Sequence, residues 1–243
     1  MKKTAWDNFI KARDRYRREI GRLKRQLPEL QSLQQRFVSE RSPSYPVETP
    51  VVYNGALGDI YEDSEIRLIL VADNPGRREQ AAENRRYLVG PSGKIAEKFF
   101  LDNPALNIDF RKNVIILNKT PIHTPRTADL RELCRLGGSA LETALDQSQR
   151  FMARLLLEFH QALATPVWII GYSEMKKRGI FEAYTDELKT IYDGTNLKEA
   201  VFMYRHFSMN QFTIDLRQQA AAGEAPAQTL GRIGTIYRKR FLW

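Results

Sequence analysis

The sequence predicts an α/β fold: a three-layer α/β/α sandwich around a central four-stranded parallel sheet, with an N-terminal helical extension. Three observations carry this. Four apolar runs, residues 66–72, 114–117, 167–170 and 200–204, are four to seven residues long and bounded by polar residues or Gly, as strands buried on both faces are. Helical stretches lie between them at 93–101, 139–164 and 174–192, the second with the stripe Leu141, Leu145, Met152, Leu155, Leu156 and Phe159. The alternation of strand and helix then calls for right-handed crossovers, helices on both faces, and a ligand site at the carboxyl ends of the strands.

The chain has 243 residues, 42% of them hydrophobic, enough for a sizeable core and too many for a chain that is disordered throughout. No apolar run approaches the roughly 18 residues of a membrane span, and Met1-Lys2-Lys3 leads into charge instead of an apolar segment. A soluble cytoplasmic protein without membrane contact is expected. One cysteine, Cys134, cannot furnish a disulfide framework, a cysteine zinc site or a four-cysteine iron–sulfur cluster, so no metal and no cofactor are expected.

In chain order, residues 1–41 form a basic amphipathic helical extension. Twelve basic residues there face five acidic ones, which accounts for seven of the nine net positive charges of the chain. Trp6, Phe9, Ile10, Tyr16, Ile20, Leu23, Leu27, Leu30 and Phe37 make one apolar stripe, and Pro28 kinks or divides the helix. The stripe packs on the main domain with a solvated basic face, or the helix serves as a DNA arm or as a surface for self-association or protein contact. Residues 42–50, with Pro43, Pro46 and Pro50, are an extended linker, and 51–243 is the α/β domain. Helices at 211–222 and 228–241 close the chain.

The informative residues fall just after the strands. Asp73-Asn74-Pro75-Gly76 follows the first, Asn118 ends the second, Gly171 follows the third, and Arg205-His206-Phe207-Ser208 follows the fourth. Tyr87-Leu88-Val89-Gly90-Pro91-Ser92-Gly93-Lys94 opens a helix whose glycine-rich start suits a phosphate. Each alone reads as a turn, a cap or an ordinary histidine; their joint position at successive strand ends is what matters.

This combination resembles the uracil-DNA glycosylase superfamily over residues 64–220. Ala72-Asp73-Asn74-Pro75-Gly76 is similar to its first motif and Leu88-Val89-Gly90-Pro91-Ser92-Gly93 to a segment of its iron–sulfur branch, where Glu79 also has a counterpart. Asn118 matches the base-reading Asn, and His206-Phe207-Ser208 resembles the His-Pro-Ser second motif. Ala72, Leu88 and Phe207 stand where the family has Gly, Phe and Pro. The resemblance implies a clusterless glycosylase acting in base excision repair on uracil or a related deaminated base, single- or double-stranded DNA being the partner.

It also implies roles. His206 donates a hydrogen bond to the base oxygen that gains charge, and Asn118 reads the base edge. Asp73 and Asn74 compete for orienting the water, with Asp73 otherwise stabilising the sugar cation. Tyr87 or Leu88 packs on the base; Pro75, Gly76, Gly90, Ser92, Gly93, Lys94 and Ser208 hold phosphates. Met209, Asn210 or Phe212 fills the gap left by the flipped base. A nucleic-acid-binding relative without catalysis remains the alternative. A nucleotide-binding enzyme ranks below both, because no Walker loop or paired carboxylate cluster is present.

Overall fold

A computed structural model describes residues 1–243. The extension forms α1 (Lys3–Gln26) and α2 (Leu30–Ser39), divided around Pro28, which has no N–H to give to a continuous helix. α1 buries Phe9, Ala12, Tyr16, Ile20 and Leu23 and lies along α5 (Asp129–Leu163), where Phe9 meets Phe159. These side chains belong to the same apolar core as the sheet. Residues 42–50 run extended between two glutamines. Gln35 Oε1 accepts from the Val47 N–H, while Gln80 Oε1 accepts from the Glu48 N–H and its amide donates to the Pro46 carbonyl.

The four strands are β1 (Leu68–Ala72), β2 (Val114–Asn118), β3 (Val167–Ile170) and β4 (Val201–Tyr204), all parallel in the order β2-β1-β3-β4. Every residue of the first three is buried, which is why their sequences are continuous apolar runs without alternation. α3 (Arg77–Gln80) and α4 (Pro91–Asp102) connect β1 to β2, α5 connects β2 to β3, and α6 (Glu182–Tyr192) connects β3 to β4. α7 (Gln211–Gln219) and α8 (Pro226–Phe241) follow. α5 packs on α6, while α8 packs on β4 and α4 meets the start of α7 through Phe99 and Phe212. No helix is long and apolar enough to cross a membrane.

Two helices differ from the sequence expectation. α5 begins at Asp129 and is broken at Gly138, so the expected start at 139 is the second half of a longer element. α6 begins at Glu182 instead of 174, because the Glu174 carbonyl and carboxylate take the Phe181 and Ile180 N–H groups and close a turn before it.

The strand order positions the site. The chain steps from β1 outward to β2 and returns across β1 to β3, so the connections diverge between β1 and β3 and leave a crevice at the carboxyl edge there.

Candidate active site

The turn after β1 is held from three sides. The Lys119 N–H donates to both the Ala72 and the Asp73 carbonyls at 2.9 Å. Asn74 Nδ2 donates to Thr124 Oγ1 at 2.8 Å, and the Thr127 hydroxyl lies 3.1 Å from both Asp73 Oδ2 and Asn74 Oδ1. The Pro75 carbonyl accepts from His123 Nδ1–H at 2.8 Å. Beneath the turn, Lys119 Nζ sits 2.5 Å from Asp73 Oδ1. Gly171, at the end of β3, has φ +78°, and a Cβ there would stand 2.6 Å from Asp73 Oδ1. A side chain at 171 would therefore displace the carboxylate.

At the end of β4 the imidazole of His206 has a defined tautomer. The Ser208 N–H, which can only donate, points to His206 Nδ1 at 3.1 Å, and Ser208 Oγ lies 2.9 Å from the same nitrogen. Nδ1 is thus the acceptor, and in the neutral ring the proton resides on Nε2. Burial pushes the His206 pKa below its ordinary 6.5; Asp73 opposes that shift and Lys119 adds to it. The result is a neutral imidazole with one N–H free to donate.

Around these groups lies a cavity of about 870 Å³. Asp73, Asn74, Gly76, Leu88, Gly90, Ser92, His206 and Ser208 all line it, so the strand-end residues and the start of α4 do converge. Arg77, Arg78, Arg126 and Arg205 line it too and are exposed, making its wall strongly cationic. Tyr172, directly after Gly171, is the aromatic on its wall; one ring face stacks on Phe241 at 4.3 Å.

Other expected residues are elsewhere. Tyr87 is buried, with its hydroxyl bonded to the Val52 carbonyl and to Tyr16 of α1, so it ties the extension down and faces no ligand. Pro75 is buried and offers its carbonyl to His123. Gly93 is a spacer: a Cβ there would fall 1.6 Å from the Leu88 carbonyl oxygen, so the loop can lie against α4 only because residue 93 has no side chain. Lys94 is exposed and does not line the cavity. Asn118 is 1% exposed, and neither of its amide atoms has a partner; it pairs in the sheet with Ala72, which does line the cavity. Of the three candidates for filling the stack, Phe212 is buried against Phe207 at 4.3 Å, whereas Met209 is 81% exposed and, like Asn210, has a left-handed backbone. Phe207, in the place of a proline, anchors this loop in the aromatic core.

No family model and no curated protein matches this sequence. The site therefore stands on its geometry alone.

Sequence reasoning missed Lys119, His123, Thr127, Tyr172, Arg77, Arg78 and Arg126, and gave Arg205 no role although it stands in the segment after the fourth strand. Lys119, Tyr172, Arg77 and Arg205 each directly adjoin a strand end or turn already singled out, and that adjacency was the available signal. Glu79 proves to be a loop staple. Its carboxylate accepts from the Gly76 N–H at 3.2 Å and the Leu88 N–H at 2.9 Å, and burial raises its pKa to about 7 against these two hydrogen bonds.

His123 gives the site a measurable pH signature. Its Nε2 accepts from the Tyr45 hydroxyl at 2.9 Å, and burial lowers its pKa to about 4 from an ordinary 6.5. The unfolded chain takes up a proton below 6.5 while the folded chain does not until about 4. This residue's contribution to stability is therefore complete above pH 6.5 and is lost as pH falls toward 4, at up to ~1.4 kcal/mol per pH unit. Glu79, raised to about 7, contributes with the opposite sign over much of the same range, so the readout is a difference: between pH 7 and 4 the denaturant midpoint of the wild type should drop relative to that of His123→Asn.

Proposed function

We propose that this chain is a DNA glycosylase that hydrolyses the N-glycosidic bond of uracil or a related deaminated base. The observation that carries it is a neutral imidazole with a free Nε2–H sharing one cavity with a carboxylate and an amide. As the bond breaks, the base gains negative charge and the sugar positive charge; water then adds at the anomeric carbon and its proton ends on the departing base, so a useful site has a fixed donor for the base and an acceptor or anion beside the sugar. His206 is the donor. Asp73 Oδ2 and Asn74 Oδ1, bridged by the Thr127 hydroxyl, are adjacent acceptors that orient a water toward the anomeric carbon, and the carboxylate opposes the developing positive charge.

The remaining features serve a flipped nucleotide. The four arginines and the amides at the start of α4 suit flanking phosphates, Met209 is the exposed apolar group able to enter the stack, and Tyr172 provides an aromatic wall where Leu88 has none. The unpartnered Asn118 amide costs on the order of 1–3 kcal/mol, a cost that a base edge reaching it would remove. The second reading, a DNA-binding relative without catalysis, is favoured by the same residue being sealed from the cavity.

Single- and double-stranded oligonucleotides carrying uracil, hypoxanthine or xanthine, incubated with the protein and treated with alkali, test the proposal. Strand scission at one of these bases is expected, undiminished by EDTA, because His206, Asp73 and Asn74 do the chemistry. Binding without scission at any of the three would establish the second reading. Scission lost in EDTA and restored by a divalent ion would exclude the mechanism.

A further inference from the structure

Lys119 is fully buried, yet its ammonium is at the centre of the site. It leaves the end of β2, passes beneath the end of β1 and reaches the end of β3. There Nζ lies 2.5 Å from Asp73 Oδ1, 2.6 Å from the Ile170 carbonyl and 3.4 Å from that of Gly171, with the Phe181 ring centroid at 5.0 Å. All three N–H groups have acceptors. The same residue's backbone N–H holds the Ala72 and Asp73 carbonyls. Main chain and side chain thus grip Asp73 from both ends.

A charge in this position is costly as a packing device. Burial pushes the Lys119 pKa down, Asp73 pushes it back up, and apolar side chains of similar volume commonly serve such places as well or better. What an apolar residue could not do is fix which carboxylate oxygen faces inward. Lys119 occupies Oδ1, leaving Oδ2 with the Thr127 hydroxyl at the cavity wall. His206 faces the pair from the end of β4.

We propose that Lys119 is a positioning residue for Asp73: a buried side chain that occupies Oδ1 and so locks the carboxylate in one orientation, with Oδ2 outward beside the reacting sugar. The role in catalysis rests on the glycosylase reading; the ion pair itself does not. With Oδ1 taken by Lys119, Oδ2 is the carboxylate oxygen left for the cavity, where Asp73 works as a fixed acceptor that orients water.

The test compares wild type, Lys119→Met, Asp73→Asn and the double variant, in which neither charge is left alone in the interior. Three measurements are made: single-turnover excision over a range of oligonucleotide concentrations, thermal unfolding, and the orientation of the Asp73 carboxylate in crystals of each protein, which needs no substrate. Lys119→Met should slow excision roughly tenfold or more, as displacement of a catalytic group does. The loss should fall on the rate at saturating oligonucleotide and leave the half-saturating concentration within about twofold, because Asp73 addresses the water and not the phosphates. In the Asp73→Asn background, loss of Lys119 should cost nothing further. If the single variant does not fold, the comparison of Asp73→Asn with the double variant still decides.

A folded Lys119→Met with wild-type rate would overturn the proposal, and so would an equal loss in both backgrounds. Wild-type protein inactive on every damaged base would instead remove the glycosylase reading. In that case the carboxylate orientation alone decides: an Asp73 carboxylate turned away from the Thr127 hydroxyl in Lys119→Met supports the lock, and one that keeps the wild-type orientation overturns it.

Discussion

His206→Ala is expected to lower the rate of base excision by roughly 10²-fold or more at unchanged fold, the scale of losing one preorganised donor to a developing oxyanion. The effect should be this large because Nε2–H is already aimed and already in its tautomer. Two groups of Ser208 hold Nδ1, and burial keeps the ring neutral. A neutral ring donates throughout the chemistry without giving up its proton. Fold loss is not expected, since His206 is only half-buried and the loop is anchored by Phe207, which is fully buried on Phe212. Single-turnover rates with a saturating uracil oligonucleotide, read beside melting temperatures, measure it. A rate within twofold of wild type would make His206 a structural residue and would withdraw the donor role.

Removal of residues 1–41 is expected to abolish the folded state. The segment buries Phe9, Tyr16, Ile20, Leu23, Leu30, Phe37 and Val38, each contributing ~1.5–3 kcal/mol, together comparable to the ~5–15 kcal/mol by which whole domains are stable. Its loss uncovers Phe159 on α5 and deprives the buried Tyr87 hydroxyl of Tyr16. It also removes Gln34, whose amide holds the His123 carbonyl at 2.7 Å, and His123 in turn holds the Pro75 carbonyl in the turn that carries Asp73 and Asn74. The truncated chain should be insoluble or melt far below the full one. A soluble truncation of equal stability would show that the stripe contributes little. If DNA binding by that truncation also kept an unchanged salt dependence, the segment would be left as a protein contact surface, because each phosphate it neutralised would have added about 0.9 to the slope.

Much of the site was legible because the relevant signals are local. A parallel strand buried on both faces must be a short apolar run, so the four runs mark the sheet, and the first polar residues after them mark its carboxyl edge. Asp73, Asn74, His206 and Ser208 were within reach by that rule alone, and the helix start at Gly90 and Ser92 was legible from its glycine-rich spelling. The direction of a side chain was not legible. Tyr87 and Leu88 are neighbours with the same apolar character, yet one reaches Val52 and Tyr16 while the other lines the cavity, and Leu88 takes a left-handed backbone with φ +52°. Phe212 reads as well as Met209 for an exposed role until Phe99, Trp168 and Phe207 are found around it.

By itself the sequence determined the fold class, the four strands and the chemical character of each strand end, since these follow from periodicities of a few residues and from which side chains carry polar atoms. Tertiary structure decided which of those ends meet. The order β2-β1-β3-β4 sets Lys119 and Gly171 on either side of Asp73, although 46 and 98 positions separate them from it along the chain. The same order gathers Arg77, Arg78, Arg126 and Arg205 around one cavity and leaves the Asn118 amide without a partner. The physical reason is range: burial and turn preference act between neighbours in sequence, whereas the ion pair, the cavity and the cationic wall exist only once distant segments are packed within a few ångströms of one another.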